Sequence, residues 1–256
     1  MEYQTIKGEK VPSLGLGTYR LTGESCSRAV ERALSIGYRH VDTAQMYGNE
    51  AEVGRGIQAS GVDREEVFIT TKVWPSDFER DRVLGTTRES LRKLGTDHVD
   101  LLLMHWPPSG APLEETLGAM RELQEEGGVR HIGVSNFSPS LVEEASEHAE
   151  IFCNQVEFHP YKSQSEILDQ AQNMDYLLTA YRPLSRGGAG DDATLREIGE
   201  AHAKTAAQVT LRWLIQQEKV SAIPKSSSEE HLQANLDVFD LELSDEEMDR
   251  VSSLSR

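Results

Sequence analysis

Short apolar runs alternate with charged, amphipathic stretches along almost the whole chain. The runs fall at residues 14–17, 40–43, 67–72, 99–104, 131–134, 152–156, 177–181 and 221–224, and each reads as a buried strand. Helical periodicity fills the gaps at 26–36, 49–59, 80–94, 113–125, 138–148 and 165–172, and two helices, 194–202 and 206–217, precede the last strand. Such alternation predicts a parallel sheet with crossover helices. Eight units predict closure into a (β/α)8 TIM barrel, a fold that typically takes about 250 residues. Gly8, between strand-like pieces at 3–6 and 10–11, predicts a hairpin that plugs the amino-terminal end of the barrel. Ser244-Asp245-Glu246-Glu247 opens a C-terminal helix carrying Met248 and Val251. No linker or low-complexity stretch interrupts the rhythm, so residues 1–256 are expected to form a single barrel domain.

The strand ends carry the chemistry. Asp42 closes the second run and Tyr47 follows five residues later; Lys72 closes the third run, and His105 follows the fourth. In a parallel barrel these ends share one face, the face where active sites sit. Asp, Tyr, Lys and His converging there can polarise a carbonyl and protonate it. A phenol titrates near about 10 and must be tuned to serve as the acid. Lys72 is expected to lower it, Asp42 to hold Lys72 charged and in place, and His105 to orient the carbonyl oxygen. Each residue taken singly also suits a structural role, Asp42 and Lys72 as a core ion pair and His105 as a satisfied core histidine. Four of them at successive strand ends favour a catalytic site.

The charge balance narrows the partners. Asp and Glu number 43 against 26 Lys and Arg, a net charge of -17. Nucleic acid and anionic membranes are repelled by such a surface. No apolar run approaches the ~20 residues of a membrane helix, and residues 1–5 lack signal-peptide character. Two cysteines, Cys26 and Cys153, allow one disulfide at most and point to a reducing cytoplasm. Lysine occurs at only eight positions, so most basic charge is arginine. An acidic, lysine-poor surface suggests a halophilic protein whose self-repulsion is screened by salt. An ordinary acidic cytoplasmic protein remains the alternative.

No Gly-x-Gly-x-x-Gly follows a strand, and Gly15-x-Gly17 is too short a signal alone, so a Rossmann domain is not indicated. A barrel binds phosphate with its last loops and a helix N-terminus. Lys225-Ser226-Ser227-Ser228 sits there, before a helix at 229–236. A serine accounts for the cap. Lys225 at a helix start opposes the helix dipole unless an anion lies between them. The histidines form no His-x-His or His-x-x-x-His pair, so a metal site is not expected.

The run Gly37-Tyr38-Arg39-His40-Val41-Asp42-Thr43-Ala44-Gln45-Met46-Tyr47-Gly48-Asn49-Glu50 resembles the aldo-keto reductases. So do Gly133-Val134-Ser135-Asn136-Phe137, Asn154-Gln155-Val156-Glu157 and Ile223-Pro224-Lys225-Ser226, in that order. The resemblance spans about Gly15 to Asn235 and is nearest to prokaryotic reductases of diketo sugar acids and small aldehydes. It implies a carbonyl reductase with the roles above for Asp42, Tyr47, Lys72 and His105. It implies that Ser135, Asn136 and Gln155 hold the nicotinamide carboxamide, that Tyr181 stacks on the ring, and that Thr18 lies near its ribose. Arg182, Pro183 and Leu184 match the segment under the pyrophosphate, although the family often has Ser where Arg182 stands. Ile223, Lys225, Ser226, His231 and Asn235 match the adenosine end. His231 replaces the arginine that many NADPH-using members carry, and Ala234 replaces an acidic residue. NADPH is therefore the expected cofactor, with NADH also accepted. Arg182, Arg186, Lys225 and His231 would have to form a basic patch for it. Tyr19, Met46, Trp74 and Trp106 match pocket-lining positions for a small carbonyl substrate, and the short loop after His105 implies an open site. A monomer is expected. The alternative function is a nicotinamide-binding sensor on the same fold.

Overall fold

A computed structural model describes residues 1–108, 110 and 112–255, with the side chain of Arg186 excepted. Ser109 in the loop after His105, and the Arg186 side chain of the expected basic patch, thus lie outside the described residues.

The chain opens with an antiparallel hairpin, β1 (Tyr3–Ile6) and β2 (Glu9–Pro12). Lys7 and Gly8 both take positive φ (48° and 87°), the geometry of a tight two-residue hairpin turn. Eight parallel strands follow: β3 (Leu16–Gly17), β4 (His40–Asp42), β5 (Phe68–Val73), β6 (Val99–Met104), β7 (Val129–Ser135), β8 (Ile151–Glu157), β9 (Leu177–Tyr181) and β10 (Val220–Ala222). Each pairs in parallel with the next. The ring closes where Leu14 bridges Ala222 in parallel. Gly15 N–H donates to Ala222 O (2.9 Å), Gly17 N–H to Pro224 O (3.1 Å), and Ala222 N–H to Ser13 O (2.9 Å). The protein is a (β/α)8 barrel.

The seam explains two glycines. A Cβ on Gly17 would lie 2.6 Å from Ile223 O, and one on Gly15 would lie 2.7 Å from His40 Nδ1. Gly17 lets the first strand approach the last this closely, and Gly15 leaves room for the buried His40 ring beside it. Gly15-x-Gly17 is thus part of the barrel closure.

Ten α-helices are described: α1 (Gly23–Ser35), α2 (Glu50–Ser60), α3 (Arg80–Leu94), α4 (Leu113–Glu125), α5 (Pro139–Ser146), α6 (Ser165–Met174), α7 (Ala193–Ala201), α8 (Ala206–Ile215), α9 (Glu229–Leu236) and α10 (Asp245–Ser252). They bury apolar stripes against the outer face of the sheet and form the larger core. A smaller core fills the barrel's amino end, where Ile6 and Val11 of the hairpin pack with Leu101, Leu103, Phe152 and Leu177. The hairpin is the expected plug. Ser244 caps α10 in a capping box with Glu247, and the helix docks through Trp213 Nε1–H to Ser252 Oγ at 3.1 Å. Cys26 and Cys153 are both free and buried.

Candidate active site

Lys72 is fully buried at the carboxyl end of β5. Its ammonium donates to Asp42 Oδ1 at 2.6 Å and to Thr43 O at 2.7 Å. Asp42 ends β4, and its other oxygen, Oδ2, accepts from Gln155 Nε2 at 2.8 Å. Tyr47 lies on one 3-10 turn (Gln45–Tyr47) that Gly48 stops in the left-handed region. The turn sets the phenol ring 5.1 Å from Lys72 Nζ. His105 follows β6, its ring edge-on to Tyr47 at 5.8 Å and to Trp74 at 5.1 Å. The four expected side chains therefore converge at one end of the barrel.

Electrostatics sort them. Burial would depress Lys72, but the Asp42 carboxylate and the Tyr47 phenol outweigh it and hold the ammonium above its ordinary range. Burial pushes the Asp42 carboxyl up, and Lys72 and Gln155 oppose that. Burial and then the Lys72 charge lower His105 to about 3, so its imidazole is neutral near pH 7. Tyr47 departs from the expectation that Lys72 would lower it. Burial raises the phenol and outweighs the opposing pull of Lys72. The site thus holds a protonated phenol beside a cation that favours its ionised form.

A second network borders the first. Ser135 Oγ–H donates to Gln155 O at 2.8 Å. Asn136, in the left-handed region (φ 64°), donates through Nδ2 to His105 O (3.3 Å) and Ser135 Oγ (3.1 Å). Its Oδ1 accepts from Tyr181 O–H at 2.8 Å. Ser138 caps α5, so Ser135 and Asn136 are not the helix cap. The half-buried Tyr181 ring, flanked by these amide groups, can seat a flat heteroaromatic ring with a carboxamide. Thr18 is buried, its hydroxyl donating to Asp42 O at 2.9 Å. Pro183 is buried and Leu184 half-buried beside the exposed Arg182.

The phosphate end is thinner than expected. Lys225 is exposed and forms no ion pair among the described residues. Arg182 is 3.5 Å from Glu157, and His231 is exposed in the first turn of α9 with Glu229 and Glu230. The serines divide their work: Ser228 caps α9, while Ser226 bonds to the backbone of Ser228 and ties its own loop. Ile223 and Asn235 are buried, and Asn235 adjoins the Tyr38 hydroxyl. The amides and hydroxyls here and the exposed ammonium of Lys225 would suit an anionic, carboxamide-bearing dinucleotide.

On the other side of Tyr47, the Tyr19 ring stands 5.0 Å away. Tyr19, Met46 and Trp106 are all exposed, which excludes core packing for Trp106. Three further residues, inside the quoted motifs but given no role from the sequence, brace the site. Buried Asn49 donates to Thr18 O and Leu21 O (2.9 Å each) and accepts from Thr43 Oγ–H (2.8 Å). Glu157 pairs with Lys162 at 3.2 Å as well as Arg182. Buried Glu50 accepts from Thr71 Oγ–H at 2.6 Å, next to Lys72 in β5. Asn49 and Glu50 follow Gly48 directly, so that adjacency was the one available clue.

The sequence profile of the aldo/keto reductase family matches residues 13–256. A glyoxal reductase of Bacillus subtilis is 42% identical over 252 residues, covering 97% of this chain and 91% of that protein. A methylglyoxal reductase, DkgB, of Salmonella typhi is 40% identical, covering 95% and 93%. The solved structure of a putative 2,5-diketo-D-gluconic acid reductase B superposes with a TM-score of 0.98 at 48% identity, covering 100% of this chain and 92% of that one.

Proposed function

The chain belongs to the aldo/keto reductase family of oxidoreductases, and from that premise we propose that it reduces small aldehydes and ketones to alcohols with NADPH in preference to NADH. The observation that carries the reading is the contact chain from Gln155 through Asp42 and Lys72 to Tyr47, with His105 edge-on to the phenol. The bound cofactor supplies hydride to the carbonyl carbon. Tyr47 gives its proton to the carbonyl oxygen as charge develops there. Lys72 stabilises the phenolate left behind, and Asp42 with Thr43 O keeps the ammonium aimed. Neutral His105 donates a hydrogen bond to the same carbonyl oxygen. Small aldehydes, α-dicarbonyls, keto sugars and diketo acids suit a rim made of exposed Tyr19, Met46 and Trp106 and half-buried Trp74. The relatives named as glyoxal and methylglyoxal reductases support the smaller end of that range. Lys225 supports the NADPH preference, as an exposed cation without a carboxylate partner among the described residues, three residues before the Ser228 cap of α9. One profile match across nearly all residues and a ring closed from first strand to last support a single barrel domain.

The test is cofactor oxidation with methylglyoxal and related carbonyls, in wild type and Tyr47→Phe. The variant should lose about 10²–10⁴-fold in turnover with cofactor affinity nearly intact. Retention of more than about a tenth of the rate, with chemistry limiting, would remove Tyr47 as the acid.

A further inference from the structure

The catalytic face carries the same dipeptide twice. Tyr181-Arg182 lies at the end of β9 and Tyr19-Arg20 just after β3. Both arginines adopt the left-handed backbone (φ 50° for Arg182, 64° for Arg20), and both set the guanidinium over the preceding tyrosine ring, at 5.8 Å and 5.3 Å. They differ in partners. Arg182 has Glu157. Arg20 is exposed and makes no hydrogen bond or ion pair with any described residue.

Such an unpaired cation is uncommon among the described residues. Every other described arginine and lysine except Lys10 and Lys225 is ion-paired. Lys10 belongs to the hairpin on the opposite end of the barrel. Among the described residues of the catalytic face, then, Arg20 and Lys225 are the cations left for an anion brought from outside. Lys225 lies beyond β10 at the start of α9. Arg20 lies on the Tyr47 side: its guanidinium is 5.3 Å from the Tyr19 ring, and the Tyr47 ring is 5.0 Å from that same ring.

The Arg20 turn is also held in place. Leu21 N–H donates to Thr18 O at 3.0 Å across Tyr19-Arg20, closing a tight turn. Asn49 Nδ2 grips the carbonyls on both sides, and Asn49 is itself fixed by Thr43, whose carbonyl holds Lys72. Positive φ is uncommon for a bulky residue, and here the turn that fixes it also fixes where the Arg20 side chain leaves the backbone. A guanidinium offers a planar fork of donors that matches a carboxylate.

We propose that Arg20 is a specificity residue that binds the carboxylate of an oxo-acid substrate whose carbonyl lies at Tyr47. The inference rests on the reductase reading and narrows its substrate class to carbonyl compounds bearing a carboxylate a few carbons from the reacting group. It makes Tyr19 a spacer, its ring carrying the guanidinium on one side and bounding the reacting carbonyl on the other. The other source of a suitable anion is the cofactor pyrophosphate, and the experiment separates the two.

The test compares 6-oxohexanoate with its methyl ester, at one fixed low salt, in wild type, Arg20→Gln and Arg20→Lys, together with NADPH dissociation constants. Arg20→Gln should lower kcat/KM for the acid about tenfold or more, through KM, because a charge-assisted hydrogen bond is lost. The ester and NADPH affinity should be unchanged, and Arg20→Lys should recover part of the loss. An equal fall for acid and ester, or no fall for either, overturns the proposal while ester turnover leaves the reductase reading standing. A weakened NADPH affinity instead assigns Arg20 to the cofactor and also overturns it. Wild type that turns over neither compound with either cofactor overturns both the proposal and the reading beneath it.

Discussion

Gln155 Nε2 donates a 2.8 Å hydrogen bond to Asp42 Oδ2, the oxygen that Lys72 leaves unoccupied. One amide thus completes the shell of a buried ion pair, while Gln155 O accepts from Ser135. Gln155→Met keeps the length and removes the donor. It should lower stability by about 1–3 kcal/mol, since a buried carboxylate loses a partner. Denaturant unfolding without cofactor reads this directly. A change within about 0.5 kcal/mol would mean that Lys72 alone satisfies Asp42.

Coenzyme choice should respond to two positions. His231→Arg supplies the guanidinium fork absent here and should raise the preference for NADPH over NADH by roughly tenfold. Lys225→Ala should move the ratio the other way. Dissociation constants for both coenzymes at one ionic strength are the measurement, and an unmoved ratio in both variants would place the adenosine phosphate elsewhere.

Two buried histidines set an acid limit on stability. Burial, with Lys72 second, holds His40 and His105 at about 3. In the unfolded chain each titrates near about 6.5. Between these values the unfolded chain binds protons that the folded one refuses. Their contribution is complete above the unfolded value and is lost as pH falls toward the folded one, at about 1.4 kcal/mol per pH unit for each histidine. His105→Gln should make that decline shallower by one histidine's share. Urea midpoints between about pH 7 and pH 5 give the slope, and an unchanged slope would show that His105 is not held neutral.

The acidic surface predicts a response to salt. Of 43 Asp and Glu residues, only Asp42, Glu50 and Asp100 are buried. The remainder repel one another at low ionic strength and are screened as the Debye length falls to about 3 Å near 1 M. Thermal unfolding in potassium chloride should show a rise larger than that of a near-neutral homologue run alongside. The homologue corrects for salts that stabilise proteins in general by exclusion. Equal shifts in the two would end the halophilic reading.

Periodic and local features were legible in the sequence. All eight strands and the C-terminal helix were readable because their signals lie within a few residues of each other. The residue types at Asp42, Tyr47, Lys72 and His105 were readable because each ends a strand or follows one. Features built from distant partners were not. Asn49 acquires its function only when the Thr18 and Leu21 carbonyls arrive from another loop. Arg182 reads as a free cation until Glu157 lies beside it. The direction at Tyr47 was misjudged because Lys72 was visible in the sequence and the depth of burial was not.

The seam between Leu14 and Ala222 also bears on how the molecule is made. A ribosome delivers β3 early and β10 nearly last, so the bonding edge of β3 stays bare through most of translation. Contacts of such long sequence separation form slowly, and an exposed strand edge invites mispairing meanwhile. Val220–Ala222 closes the ring only after nearly nine-tenths of the chain has been made. Lys225 arrives three residues behind it. Asp42, Tyr47, Lys72 and His105 all precede that closure in the chain, so the ring that holds them together at one end of the barrel is completed by the last strand to be made.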